Sequence, residues 1–341
     1  MKTNVKKLSL DEISLSVEVV LNRYGLSQEH IEWVKSCLIT ASLWGIDTHG
    51  VTLLKVYENE LKNGVSNPRP IIKETSTRHA VLNLDADDAL GIVSGTYATN
   101  TAISIAKEYG ISAVMVKNSN HFGCAGFYSS LAAQQNMIGI SFSNADALVT
   151  PFNGVERLLG TNPIGFSIRG SGDDLFLFDM ATSQVSYSAV KRMIDLGEKV
   201  SSGLAVDKNG HDLVEGGEFY ALKGLGGYKG QGLGMMVQIL TAVLSGSPFD
   251  ADLTHLFNAE IYEPRRISHL FICIDVTSFG NPIKIKDAIS KLLNMFRNSR
   301  AGKISKVIVP GDKELEKKMY RQANGIPVSE IDFKYFSDIL Y

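Results

Sequence analysis

Apolar residues recur at helical spacing from the start of the chain. Ser9 and Glu12 form a capping box, Ile13, Val17, Val20 and Leu21 share one face, and Tyr24-Gly25 ends the run. Ser27 opens a second helix with Ile31, Val34, Leu38 and Ala41 on one side, closed at Gly45 as a left-handed cap would close it. A third is expected from Val51 to about Lys62. From Pro70 the pattern becomes alternating and β-branched, and Ile71–Thr75 with Ala80–Leu84 reads as a hairpin. Helix and strand patterns then alternate: helix Val93–Tyr109, strand Ser112–Val116, helix Gly126–Gln134, strand Ile138–Ser143, strands Ile164–Ile168 and Leu175–Asp179, helix Val185–Leu196, and a long buried helix Gly230–Leu244. Beyond it come a strand His269–Asp275, a helix Lys284–Arg297, a strand Lys306–Val309, and helices Lys313–Asn324 and Val328–Leu340. Such alternation predicts an α/β fold. The shift near residues 67–70 and a second after Pro248 divide the chain softly into a helical segment 1–69, an α/β region 70–248 and a C-terminal α/β segment 249–341.

Composition changes this picture little. The 341 residues are 44% hydrophobic and 21% charged, as in ordinary globular proteins, and the net charge of -2 is spread without a basic face, so no nucleic-acid partner is expected. Three cysteines, odd in number and without CxxC spacing, argue for a reducing, cytoplasmic setting and against a zinc site. The N-terminus lacks an apolar signal core, and Leu233–Leu244 is too short to span a bilayer, so no membrane association is expected.

Four stretches carry candidate chemistry. Asp47-Thr48-His49-Gly50 places an imidazole beside a hydroxyl and a carboxylate at a helix–helix junction, which suits proton transfer. Taken alone, it fits better as a helix cap with His49 on the surface. Asn118-Ser119-Asn120-His121-Phe122-Gly123 follows a strand, where α/β sheets bind ligands; it also fits a polar turn with left-handed asparagines. Leu159-Gly160-Thr161-Asn162-Pro163 and Asp179-Met180-Ala181-Thr182-Ser183 offer free backbone N–H groups for an anion, or simply a cap. Gly224 to Gly234 is neither a Walker loop nor a GxGxxG fingerprint. Its cation, Lys229, at a helix N-terminus opposes the helix dipole unless it serves an anion, while packing explains Gly232 and Gly234.

Taken in order, Gly45-Ile46-Asp47-Thr48-His49-Gly50, Ser119-Asn120-His121-Phe122-Gly123, Leu159-Gly160-Thr161-Asn162-Pro163, Asp179-Met180-Ala181-Thr182, Ala205-Val206-Asp207-Lys208-Asn209-Gly210 and Gly227-Tyr228-Lys229-Gly230 resemble the malate/L-lactate dehydrogenase-like family over essentially the whole chain. That family is distinct from the Rossmann-fold lactate and malate dehydrogenases and includes ureidoglycolate dehydrogenase, sulfolactate dehydrogenase and diketogulonate reductase. The resemblance implies a non-Rossmann mixed sheet flanked by helices, a homodimer, and NAD or NADP as cofactor. It implies His121 or His49 as proton donor or acceptor, with Asp146 in the active site. Asp179, Met180, Ala181, Lys229 and the stretch Asp312, Lys313, Glu314 would contact the cofactor, and Thr48 and Asn162 the substrate; no metal is implied. Two positions depart from the family pattern. Leu53 stands where an arginine is common, and Ser188-Ala189 where a Gly-Lys pair is common.

The reaction so implied is hydride transfer between nicotinamide and a small 2-oxo or 2-hydroxy acid, a histidine handling the proton. Leu53 and Ala189 leave open a cyclic imine or a less anionic ketone as substrate, and a cofactor-binding protein without catalysis is the alternative of another class. Asp312 and Glu314, if they lie by the adenine ribose, favour NAD.

Overall fold

The computed structural model describes residues 6–213, 217–256, 262–302 and 306–340. A short strand β1 (Lys6–Leu8) leads into α1 (Leu10–Arg23), where Ser9 and Glu12 cap each other as the sequence predicts. Ser27 caps α2 (Gln28–Leu43), Gly45 adopts φ +82°, and two 3-10 turns, Asp47–His49 and Val51–Leu53, run into α3 (Leu54–Lys62). The next elements are β2 (Lys73–Arg78), β3 (Val81–Asp85), α4 (Gly91–Tyr109), β4 (Ile111–Ser119), α5 (Ala125–Gln134), β5 (Met137–Ser143), β6 (Ile164–Arg169), β7 (Leu175–Met180) and α6 (Tyr187–Asp195). The chain closes with β8 (Ala205–Val206), β9 (Ala221–Leu222), α7 (Tyr228–Gln238), β10 (Ile267–Asp275), α8 (Pro282–Arg297), α9 (Asp312–Asn324), β11 (Ile326–Val328) and α10 (Glu330–Leu340).

Seven strands make one mixed sheet in the order β2-β3-β4-β10-β5-β6-β7, in which only β3 and β4 pair in parallel, joined through α4. The expected α/β alternation holds, and β10, from the C-terminal stretch, lies at the sheet's centre. Its first residues pair with the last of β4 and β5: Ile267 faces Ser119, and His269 faces Ser143. The loops after β4 and β5 and the loop before β10 therefore open at one edge. The main core joins α1, α2 and α3 to α4, α5 and the sheet, and also to Ile326, Val328 and Phe336. Antiparallel pairing of β1 with β11 ties the two ends of the described chain. A second cluster, around Leu148, Val190, Ala205 and Leu222, underlies the β8–β9 segment.

Three expectations change. Residues 306–309 are not a strand; Val309 N–H instead bonds the Asp312 side chain, and Leu177 N–H bonds Pro310. The helix expected over Gly230–Leu244 starts at Tyr228 and passes at Ile239–Val243 into a π-helical turn. It is only half-buried, because Met235, Met236, Ile239, Val243 and Leu244 face outward. The pairs β1–β11 and β8–β9 were too short to announce themselves by alternation. Among the described residues no helix is long and apolar enough to cross a membrane.

Candidate active site

Asn118 takes a left-handed φ of 52° and donates to Asp85, which turns the chain at the end of β4. Ser119 is buried between Ser94 and His269. Asn120 is wholly buried: its amide donates to the carbonyls of Val65, Asp88 and Ala89, and its oxygen accepts from Arg265 N–H. Three of the four consecutive polar residues thus brace the loop, so both readings of the sequence apply, to different residues. The fourth, His121, projects toward His49.

The two imidazoles stack with ring centroids 5.7 Å apart. His49 is half-buried, not the surface residue that its local sequence suggested. Its turn is held from far along the chain, where the Arg321 guanidinium of α9 pairs with Asp47 and also donates to the Ser42 carbonyl. Thr48 Oγ1 lies 2.8 Å from His49 Nδ1. On His121, Nδ1 is 2.9 Å from the Tyr57 hydroxyl and 3.4 Å from Gly123 N–H. Burial pushes His49 down to about 4. It also holds His121 well below the usual histidine range, with smaller contributions from His49, Arg265 and His269. Both rings are therefore neutral near pH 7, the state in which an imidazole accepts a proton.

Behind the histidines lies a buried ion pair that sequence reasoning missed. Glu60 of α3 and Arg265 of the loop before β10 are each 1% exposed and 2.9 Å apart. The guanidinium also donates to the carbonyls of Thr254, His255 and Leu256. His255 Nδ1 in turn lies 2.6 Å from Asp146 Oδ2, with the Tyr187 ring edge-on at 5.2 Å. Asp146 is framed on both sides: Ala145 N–H donates to Asn162 and Ala147 N–H to the Asp250 carbonyl. Asn162, expected to touch substrate, is fully buried, and its amide donates to Gly234 O and to the Asp250 carboxylate. In the single chain it is a tie beneath Asp146.

The stretches expected to hold a cofactor meet in part. Asp179, at the end of β7, accepts the Gly126 N–H at the N-terminus of α5. Burial, opposed by that hydrogen bond, pushes its carboxyl up to about 6, and the Glu314 charge adds to the shift. Glu314 itself caps Gly311 at the start of α9. Asp312 accepts from Nε and Nη2 of Arg297, whose Nη1 donates to Asp174. Lys229 is exposed on the first turn of α7, preceded by Gly226 and Gly227 at φ 61° and 68°. A cavity of about 470 Å³ opens beside this turn, lined in part by Phe152, Gln184, Lys223, Gly224 and Gly227. A Cβ on Gly230 would strike the Leu225 backbone, and one on Gly234 would approach Thr182, so packing accounts for those two glycines; Gly232 has open space around it. Met180 and Ala181 are half-buried. Leu53 is buried in the main core, and Ser186 caps the helix bearing Ser188 and Ala189. Among the described residues no cluster of metal-ligating side chains occurs.

The chain matches the profile of the family described as malate/L-lactate dehydrogenase over residues 8–336. It belongs to that family. It is 35% identical to malate dehydrogenase of Pyrococcus abyssi, covering 95% of this chain and 91% of that one. It is 33% identical to L-sulfolactate dehydrogenase of Methanocaldococcus jannaschii over 94% and 90%. The sulfolactate dehydrogenase structure superimposes with a TM-score of 0.91, covering 98% of this chain and 96% of that one at 30% identity. As a member of that family the chain is a dehydrogenase, an oxidoreductase of CH–OH groups.

Proposed function

We propose that His121 is the proton acceptor in oxidation of a small 2-hydroxy acid and returns the proton in the reverse direction. The observation that carries this is the Tyr57 hydroxyl on His121 Nδ1, beside a second, stacked imidazole. When Nδ1–H donates to Tyr57, Nε2 keeps a lone pair for the substrate hydroxyl. His49 and Thr48 line the same cleft and orient the substrate oxygens, with Asp146 and its partner His255 on the neighbouring loop. The reading expected of Asn162 becomes one of holding that loop in place.

The nicotinamide cofactor would supply hydride acceptance when bound. The residues fit such a group: the glycine turn leaves room for a backbone approach, the α7 N-terminus and Lys229 favour phosphate, and Asp179, Met180, Ala181 and Asp312–Glu314 flank it. We favour NAD over NADP. Glu314 and Asp179 give that edge negative charge that opposes a 2′-phosphate, whereas Asp312 is already neutralised by Arg297. Quenching of protein fluorescence on titration with NADH and NADPH would decide this, and tighter NADPH would reverse it.

Activity is tested with a panel of 2-hydroxy acids and their oxo forms, cyclic imines and neutral ketones, following absorbance of the reduced cofactor. His121→Asn is expected to lower kcat by about 10²–10⁴ with the thermal midpoint retained. Full activity in that variant would remove His121 from the reaction. A homodimer is proposed from the outward apolar face of α7 and the turn after it, Met235, Met236, Ile239, Val243 and Leu244. Sedimentation of the wild type as a dimer and of Ile239→Asp as a monomer is the expected result; a monomeric wild type refutes it. A cytoplasmic location accords with three buried free cysteines.

A further inference from the structure

We infer that the buried Glu60–Arg265 pair is a positioning device that sets His121 and the Asp146–His255 pair in one register. The inference rests on the role of His121 proposed above. Burying two full charges costs free energy that their attraction seldom recovers, so such a pair is a weak explanation of stability. What distinguishes this one is where its remaining hydrogen bonds go. Glu60 lies one helical turn after Tyr57 on α3, and its second oxygen accepts from Ser66. Its carboxyl is raised by burial and held back by the guanidinium.

Arg265 commits all three guanidinium nitrogens and its backbone N–H to the surrounding chain. Nε meets Glu60, Nη1 meets Thr254 and His255 carbonyls, and Nη2 meets the Leu256 carbonyl. Its backbone N–H meets Asn120, the residue before His121. One residue therefore joins three segments, two through its planar fork and the third through its backbone N–H. α3 carries Tyr57 on the far side of His121, the β4 loop carries His121 itself, and the 254–256 strand of loop carries His255 on Asp146. A lysine has the charge but not the fork.

The charge matters as well as the geometry. The groups acting on His121 are His49 from the 47–49 turn, Tyr57 from α3, His269 from β10 and Arg265 from the preceding loop, and Glu60 of α3 faces the Arg265 guanidinium. Arg265 disfavours the imidazolium, and Glu60 offsets that effect. The balance between them tunes the basicity of His121 from behind, where substrate never reaches.

The test reads His121 directly, in the full-length protein without ligands, by the titration of its ¹³C-labelled imidazole signal, assigned by its loss in His121→Asn. In Arg265→Lys, with the far-UV spectrum and thermal midpoint retained, the signal is expected to shift and broaden. The same variant should lose about 10-fold or more in kcat/KM while NADH affinity stays within about twofold. Glu60→Gln provides a second variant of nearly equal shape: leaving the guanidinium unopposed, it should lower the His121 titration midpoint. Rescue of Glu60→Gln toward the wild-type titration by Glu60→Asp would follow from a positioning role. An unchanged signal and titration in whichever of these variants is folded overturns the inference. Because the signal is read without turnover, a responsive His121 in a protein that oxidises no hydroxy acid would defeat the proposed reaction and leave the positioning role standing.

Discussion

Tyr57 and Gly123 both reach Nδ1 of His121, but a backbone N–H can only donate, whereas a hydroxyl can donate or accept. The shorter contact, 2.9 Å against 3.4 Å, belongs to the group that can accept from Nδ1–H. As His121 takes a proton at Nε2, Tyr57 continues to accept from Nδ1–H, and burial keeps the phenol itself well above its usual ionisation range. Tyr57→Phe should therefore lower kcat/KM about 10-fold, equivalent to ~1.4 kcal/mol, while shifting the thermal midpoint only a few degrees. Steady-state rates and a melting curve check both, and an unchanged rate would take Tyr57 out of the relay. A second outcome follows from the depressed titration of His121. Its neutral, accepting form persists on acidification, so the acid limb of kcat/KM for oxidation should lie below the ordinary histidine value of about 6.5. A limb above that value contradicts the assignment. Tyr57 could not be found from the sequence, because a tyrosine between Leu54 and Leu61 on an amphipathic helix is indistinguishable from core. His121 could be found only because its neighbours form part of an ordered set of motifs.

Gly91 shows how an element, rather than a side chain, sets the cleft. It is the first residue of α4, and a Cβ there would overlap the Asn120 carbonyl and the His121 backbone. The helix start thus rests directly against the loop that carries His121, the proposed base. Gly91→Ala must push that loop outward, with an expected loss of about 10- to 100-fold in kcat and ~1–3 kcal/mol in stability. Parallel turnover and urea-unfolding measurements test this; a variant with native kcat would mean that the loop tolerates displacement. Elements with strong local signals were legible: the Ser9–Glu12 box fixes the start of α1, and Gly45 ends the second helix. Elements defined by distant partners were not. The segment 306–309 has the β-branched composition of a strand, yet Val309 bonds Asp312 and it is the following Pro310 that bonds β7, and the apolar run through Leu244 hides an outward face that only the fold reveals. The site follows the same division. The turn at His49 is readable, but Arg321, which secures it, lies more than 270 residues away in sequence.

Across the whole molecule, the site is assembled where the loops after β4 and β5 meet the loop before β10, and a buried histidine sits at that seam. His269 bonds Ser143 on β5 and Ser119 on β4, and its ring stacks on Phe122 at 4.6 Å, directly after His121 in the chain. Burial pushes the titration of His269 down to about 3, against a smaller upward contribution from a hydrogen bond with the Asn120 backbone. Unfolded, the same imidazole titrates near 6.5, so between these values the unfolded chain binds the proton that the folded one refuses. Stability from this group is complete above the unfolded value and is lost as pH falls. From pH 6.5 to pH 5 the loss is about 2 kcal/mol. His49, depressed to about 4, acts in the same direction. Asp179, raised to about 6, acts in the opposite one, because its folded carboxyl holds a proton that the unfolded chain releases. Opposing slopes make the total curve ambiguous, so the decisive quantity is the difference between wild type and His269→Gln. That variant keeps a polar side chain between the two serines and removes the titration. It should be less stable than wild type at pH 7, with the gap narrowing by about 2 kcal/mol on going from pH 6.5 to pH 5 in urea unfolding. A constant gap would show that His269 is protonated in the folded protein. The seam between β4, β10 and β5 would then carry a buried imidazolium, and the positive charge opposing protonation of His121 would come partly from there.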